Sequence, residues 1–190
     1  MSARDKLLDA ARDVFSQHGY VGATTRRIAE VAGVSEITVF RLFGSKDALL
    51  DEAVRAHATG EHAVPLPAEP HDPLDELASW CAAEIERLAA SRGLILQCFA
   101  EEAQHPGLTA AGTSPLSVTA EELSRYVDRL LATHSIRYPE DRAAASTMLL
   151  AALYSDALGR TTLPSVHSIT REAAPRQYAC LFLRALGAVN

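Results

Sequence analysis

Aromatic residues make up only 6% of this 190-residue chain, and cysteine occurs three times, at Cys81, Cys98 and Cys180. An odd number of widely spaced cysteines excludes a disulfide framework and offers no Cys-x-x-Cys pair for zinc or thiol exchange. No apolar run approaches the ~20 residues that a membrane-spanning helix needs. Met1-Ser2-Ala3-Arg4-Asp5-Lys6 opens a charged amphipathic helix, not the basic and apolar blocks of a secretory leader, so a cytoplasmic location is expected. The chain also lacks a phosphate-cradling glycine loop, a Gly-x-Ser-x-Gly elbow and a His-Glu-x-x-His pair. The acidic pairs Glu101-Glu102 and Glu121-Glu122 are helix neighbours that point apart and cannot form a carboxylate dyad. These absences argue against an enzyme, and no cofactor is expected. Among seven histidines, His57, His62 and His71 fall near Glu61 and Asp72, but the spacings match no compact zinc pattern and no metal is expected.

What is present is a globular balance, 48% hydrophobic residues at a mean hydropathy of +0.01. That length supports one or two domains with a real core. The net charge of −6 is unevenly divided. Residues 1–50 hold seven Lys/Arg against six Asp/Glu, a net +1, while residues 51–190 hold eleven against eighteen, a net −7. A relatively basic head on an acidic body is the charge layout of a small DNA reader carried by a larger partner domain.

Periodicity predicts helices throughout. Helix one, Ser2–His18, opens with a Ser2/Asp5 capping box, buries Leu7, Leu8, Ala11, Val14 and Phe15, and stops at Gly19. Thr24 caps a second helix with Ile28, Ala29, Val31 and Ala32 inward. Gly33 turns the chain, Val34 fills the space beneath, and Ser35 caps a third helix with Val39 and Leu42 inward. Glu36, Ile37, Thr38 and Arg41 are left outward. This is the layout of a helix-turn-helix, whose second helix lies in the major groove with its N-terminal residues on base edges. A hairpin packed in some core is the alternative. Against it, Arg26 and Arg27 occupy a first turn, where the helix dipole disfavours cations, and so point to phosphate partners.

Ser45 caps a fourth helix running to about Gly60 through Leu49, Leu50, Ala53, Val54 and His57, with Lys46 in its first turn as a candidate phosphate contact. Prolines 65, 67, 70 and 73 bar a continuous helix. Helix five follows from Pro73 to Ala90, with Leu74, Leu77, Cys81, Ile85 and Leu88 inward. Helix six, Arg92–Gln104, is apolar nearly all round and so reads as buried, Cys98 included. A loop over His105–Pro115 leads to helix seven, Leu116–Thr133. Helix eight, about 140–158, carries Ala144, Met148, Leu149, Ala152 and Leu153. The last, about 175–186, carries Tyr178, Leu181, Phe182, Ala185 and Leu186.

The chain resembles the TetR/AcrR family of transcriptional regulators. The resemblance rests on Gly19-Tyr20, Thr24, Ile28-Ala29, Ala32-Gly33-Val34-Ser35, Thr38-Val39-Phe40-Arg41, Phe43 and Ser45-Lys46-Asp47-Ala48-Leu49. It covers nearly the first fifty residues and extends to the remainder only in length and helical pattern. It implies an all-α protein: a three-helix, helix-turn-helix DNA-binding domain over 1–46 and a helical effector-binding and dimerisation domain over 47–190. It further implies a homodimer, usually a repressor, released from a palindromic double-stranded operator by a small effector. The dimer is expected through the last two helices, whose apolar surface exceeds what a monomer covers.

The expected DNA contacts are Thr24, Arg26, Arg27, Ser35, Glu36, Ile37, Thr38, Phe40, Arg41 and Lys46. The chain departs from the family pattern at Phe40 and Leu42, near which a tyrosine hydroxyl commonly bonds phosphate, and at Glu36 and Ile37, often lysine and glycine. An acid accepts from cytosine N4 and an aliphatic group touches a thymine methyl, so an unusual base preference is expected. Candidate effector-pocket residues are Trp80, Gln97, Phe99, Tyr126, Met148 and Tyr154, in surroundings that favour an apolar or amphipathic effector. Gln97 is the most pointed of them, because an amide within an apolar helix must find a partner. A sensor or carrier with a weakened DNA-binding domain is the alternative function.

Overall fold

The computed structural model describes residues 1–58, 64–104, 115–133 and 135–188. Among them every regular element is helical: α1 (Ala3–Gly22), α2 (Thr25–Ala32), α3 (Glu36–Phe43), α4 (Lys46–Ala58), α5 (Pro73–Ala90), α6 (Arg92–Gln104), α7 (Pro115–Ala132), α8 (Arg142–Gly159) and α9 (Ala174–Ala185). No helix among the described residues is long and apolar enough to cross a membrane. The expected end of helix four at Gly60, the loop over 105–114 and His62 lie outside the described residues, as does the His57 side chain.

The chain divides into two compact units. One takes in Met1–Gly60 and Ser91–Val118, the other Glu61–Ala90 and Thr119–Asn190. The expectation placed a boundary at 46/47. In the structure Leu49, Leu50 and Ala53 of α4 are part of the N-terminal core, and α6 adds Leu94 to it. Helical spacing shows that a stripe is buried but not which neighbour buries it, so α6 was assignable only in three dimensions.

In the first unit α1 packs against α2, α4 and α6 around Leu7, Ala11, Phe15, Ile28 and Leu49. Ser2 and Asp5 form the expected reciprocal capping box. Helix one continues past its expected stop to Gly22, across a kink at Gly19 (φ 66°, ψ −175°). Two expectations are corrected. Val31 is 59% exposed, because Ile28, Ala29 and Ala32 already fill the inward stripe of α2. α6 is not covered all round: Leu94 and Ile95 are buried, Leu96 and Phe99 stand out, and Cys98 is only partly buried. Burial still raises the Cys98 thiol to about 11 and that of Cys81 to about 12, with Glu101 and Glu84 adding to the respective shifts.

In the second unit α5 packs on α9 and α8. Its fully buried side chains include Leu77, Trp80, Leu88, Leu123, Tyr126, Leu153 and Leu183. A buried ion pair joins Glu84 to Arg87 at 2.6 Å. The Thr119 hydroxyl closes that group, accepting from Arg87 at 2.6 Å and donating to Glu84 at 2.8 Å. The apolar residues of α8 split between two faces. Ala145, Leu149 and Leu153 point inward, whereas Ala144 is exposed and Met148 is 73% exposed.

Candidate nucleic-acid interface

The two helices that form the site are set by local hydrogen bonds. Thr24 Oγ1 accepts the Arg27 N–H at 3.2 Å and opens α2. Gly33 ends it in the left-handed region (φ 67°, ψ 36°), where a side chain would be strained, and the Val34 N–H returns to the Ala29 carbonyl at 3.0 Å. Ser35 stands at the N-cap of α3, but its hydroxyl pairs with that of Thr38 at 2.9 Å and caps no backbone N–H. Val39 is fully buried and Leu42 partly so, which anchors α3 from below. The opposite face presents Glu36, Ile37, Phe40 and Arg41 to solvent, with Ile37 79% exposed and Phe40 50% exposed.

The expected contacts do not all stand free. Arg26 is exposed and pairs with Glu30 one turn on, at 3.1 Å. Arg27 donates to the Gly22 carbonyl at 3.2 Å. Glu36 Oε1 accepts the Thr25 hydroxyl at 2.6 Å, a tie between the starts of α2 and α3. Arg41 is exposed and has no hydrogen bond or ion pair among the described residues.

Lys46 is drawn inward. Its Nζ donates to the Tyr20 carbonyl at 2.9 Å and lies 3.6 Å from the centre of the Tyr20 ring. The Tyr20 hydroxyl in turn donates to Asp47 at 2.6 Å, which with burial raises its pKa. Thr25 and Tyr20 were absent from the expected contacts. Their partners lie 11 and 26 residues away, beyond the reach of a local pattern.

Of the expected pocket residues, Gln97 and Phe99 belong to the first unit and Trp80, Tyr126, Met148 and Tyr154 to the second. Trp80 and Tyr126 are fully buried with their polar ends satisfied, the indole donating to Glu122 at 3.1 Å and the phenol to Glu76. Tyr154 is partly buried, and burial raises its hydroxyl to about 12. Gln97 finds its partner in Glu101, to which its amide donates at 3.0 Å. Phe99 and Met148 are surface residues. Met148 borders an apolar groove of α8 and α9 that also includes Leu149, Ala152, Leu181, Phe182 and Ala185.

Residues 7–53 match the sequence profile of the bacterial regulatory proteins of the tetR family. Residues 7–53 thus resemble the N-terminal domain of the tetR-family regulators. Over 58 residues it is 40% identical to the HTH-type transcriptional repressor AcnR of Corynebacterium efficiens, covering 30% of this chain and 31% of that protein. Over 56 residues it is 45% identical to the HTH-type transcriptional regulator RutR of Escherichia coli K12, covering 29% and 26%. The match thus spans less than a third of these relatives. The TetR-like fold extends further. A transcriptional regulator from Rhodococcus sp. RHA1 superposes with a TM-score of 0.72 at 21% identity over 100% of both chains. Salmonella enterica GusR superposes with a TM-score of 0.71 at 22% identity over 96% and 95%.

Proposed function

We propose that this chain is a ligand-responsive transcriptional repressor of the cytoplasm that binds a palindromic operator as a homodimer. The observation that carries the reading is the outward face of α3. Ile37 and Phe40 stand in water beside the exposed Arg41, on a helix pinned from behind by Val39. Such a face suits base edges and thymine methyls, and the TetR-family match covers the same residues. Arg26 and Arg27 flank it as phosphate contacts. In the second unit the groove of α8 and α9, with Met148 and Leu181 exposed, is the surface proposed to pair with a second copy. Two recognition helices about 34–36 Å apart then meet successive major grooves.

The proposed effector is a small apolar or amphipathic molecule. Its binding must favour the DNA-incompetent state, because equal affinity for both states shifts nothing. Of the residues expected to meet it, Trp80, Tyr126, Met148 and Tyr154 lie in the second unit.

Selection of bound duplexes from a random library tests the reading. The expected product is an inverted repeat with half-site centres about 10–10.5 base pairs apart, or a little more. A folded, dimeric protein that enriches nothing, even after unfolding and refolding to strip bound effector, overturns it in favour of a sensor or carrier.

A further inference from the structure

We infer that Glu36 and Ile37 read a cytosine and a thymine on neighbouring base pairs of each operator half-site, with Thr25 holding the Glu36 carboxylate in position. This rests on the operator-reading function proposed above and specifies what that surface recognises.

An acidic side chain at the start of a recognition helix is ill placed for phosphate, which repels it. Its useful partners are the amino donors of the major groove, cytosine N4 and adenine N6. Adenine carries the acceptor N7 beside its amino group on the same base, which opposes a carboxylate, whereas cytosine's own major-groove edge carries no acceptor, the nearest being O6 of the paired guanine. The structure adds the geometry. Thr25 donates to Glu36 Oε1 at 2.6 Å, which fixes the side chain and leaves Oε2 for a base. Ile37, the next residue, is 79% exposed and presents a branched aliphatic surface of the kind that packs on a thymine methyl. The neighbours on that face, Phe40 and Arg41, are also exposed, so α3 offers one acid, one cation and two apolar groups side by side. The acid is the component that a phosphate-binding or core-packing account leaves unused.

The test compares duplex selections by the full-length protein with those by the Glu36→Gln, Glu36→Ala, Ile37→Ala and Thr25→Val variants, followed by titrations on single-base operator variants. Wild type is expected to prefer C at one position by about five- to 150-fold, the range of a single good base contact. Glu36→Ala should level that preference. Glu36→Gln, nearly isosteric, should move it toward A, because glutamine pairs bidentately with adenine. Uracil in place of the neighbouring thymine should weaken wild type about fourfold, the worth of one buried methyl, and leave Ile37→Ala unaffected. Thr25→Val should blur the C preference while retaining binding.

Selections by Glu36→Ala and Glu36→Gln that match wild type overturn the assignment and make Glu36 only a brace between α2 and α3, read as a lowered melting temperature with unchanged base preference. Failure of wild type to enrich any duplex is a different result, and it removes the operator-reading function together with the base assignment.

Discussion

Glu101 Oε1 accepts the backbone N–H of Tyr20 at 2.7 Å, joining α6 to the kink of α1 within the first unit. The kink is at Gly19, where φ is 66°, and a Cβ there would lie 2.5 Å from Glu101 Oε1 and 2.8 Å from Gln97 Nε2. Lys46 holds the carbonyl of the same Tyr20. One residue thus has its backbone donor fixed by α6 and its backbone acceptor fixed by α4.

Glu101→Ala leaves the Tyr20 N–H without its charged partner and should lower stability by about 2 kcal/mol, with Glu101→Gln, which keeps an acceptor, losing less. Gly19→Ala adds both positive-φ strain and a clash, and should lose on the order of 3 kcal/mol. Denaturant midpoints check the order. Equal losses for Glu101→Ala and Glu101→Gln would mean that the bond contributes nothing.

Lys46→Ala is expected to act on folding and not on DNA. Its ammonium is engaged by Tyr20, so the variant should lose about 1 kcal/mol of stability and keep the slope of log affinity against log salt. Arg41→Ala should keep stability and lose about 1–3 kcal/mol of discrimination at one operator position. A Lys46→Ala slope flattened by about one unit per subunit would restore Lys46 as a phosphate contact.

Asp156 is nearly buried on α8, with Arg160 and the Tyr178 hydroxyl as partners. Burial opposes its charge, but hydrogen bonds from Arg160 and Tyr178, with the nearby Arg160 and His167 charges, outweigh it and hold its carboxyl below the ordinary 3.8. A depressed folded pKa contributes stability that is present above 3.8 and is lost as pH falls through the folded value. Asp156→Asn should therefore cost on the order of 3 kcal/mol at neutral pH. Its deficit relative to wild type should be constant down to about pH 4 and shrink below. Urea titrations across pH 2–7 report this, and a deficit that does not change with pH would contradict the charged pairing.

Leu181 is 61% exposed and Ala152 half-buried on the α8 and α9 groove. Leu181→Glu and Ala152→Arg should each give monomers in sedimentation, because pairing would bury an unpartnered charge. Thermal stability of the monomeric unit should hold for Leu181→Glu, whose side chain already faces water. A variant that still sediments as a dimer would remove this groove as the interface.

The sequence by itself determined the helices and the helix-turn-helix. The Ser2/Asp5 box, the Thr24 and Ser45 caps and the Gly33 turn each close within a few residues, so local pattern specifies them. Ser35 is the exception, since Thr38 captured its hydroxyl. The resemblance to the tetR family was legible for the same reason, in the caps and turn of residues 19–49. Tertiary structure alone decided which side of each helix is covered and which polar groups meet. Val31, Leu96, Phe99 and Met148 are apolar residues that periodicity or composition assigned inward, yet packing filled the inward space with Ala32, Leu94, Ile95 and Leu149. Gln97 visibly required a partner, but only the fold put its acceptor, Glu101, against Tyr20, 81 residues away. Lys46 is a candidate phosphate contact in the sequence, and only the fold brings the Tyr20 carbonyl and ring against its ammonium. Caps and turns are governed by neighbours in the chain, whereas burial and distant pairing depend on loop closures that no short pattern encodes.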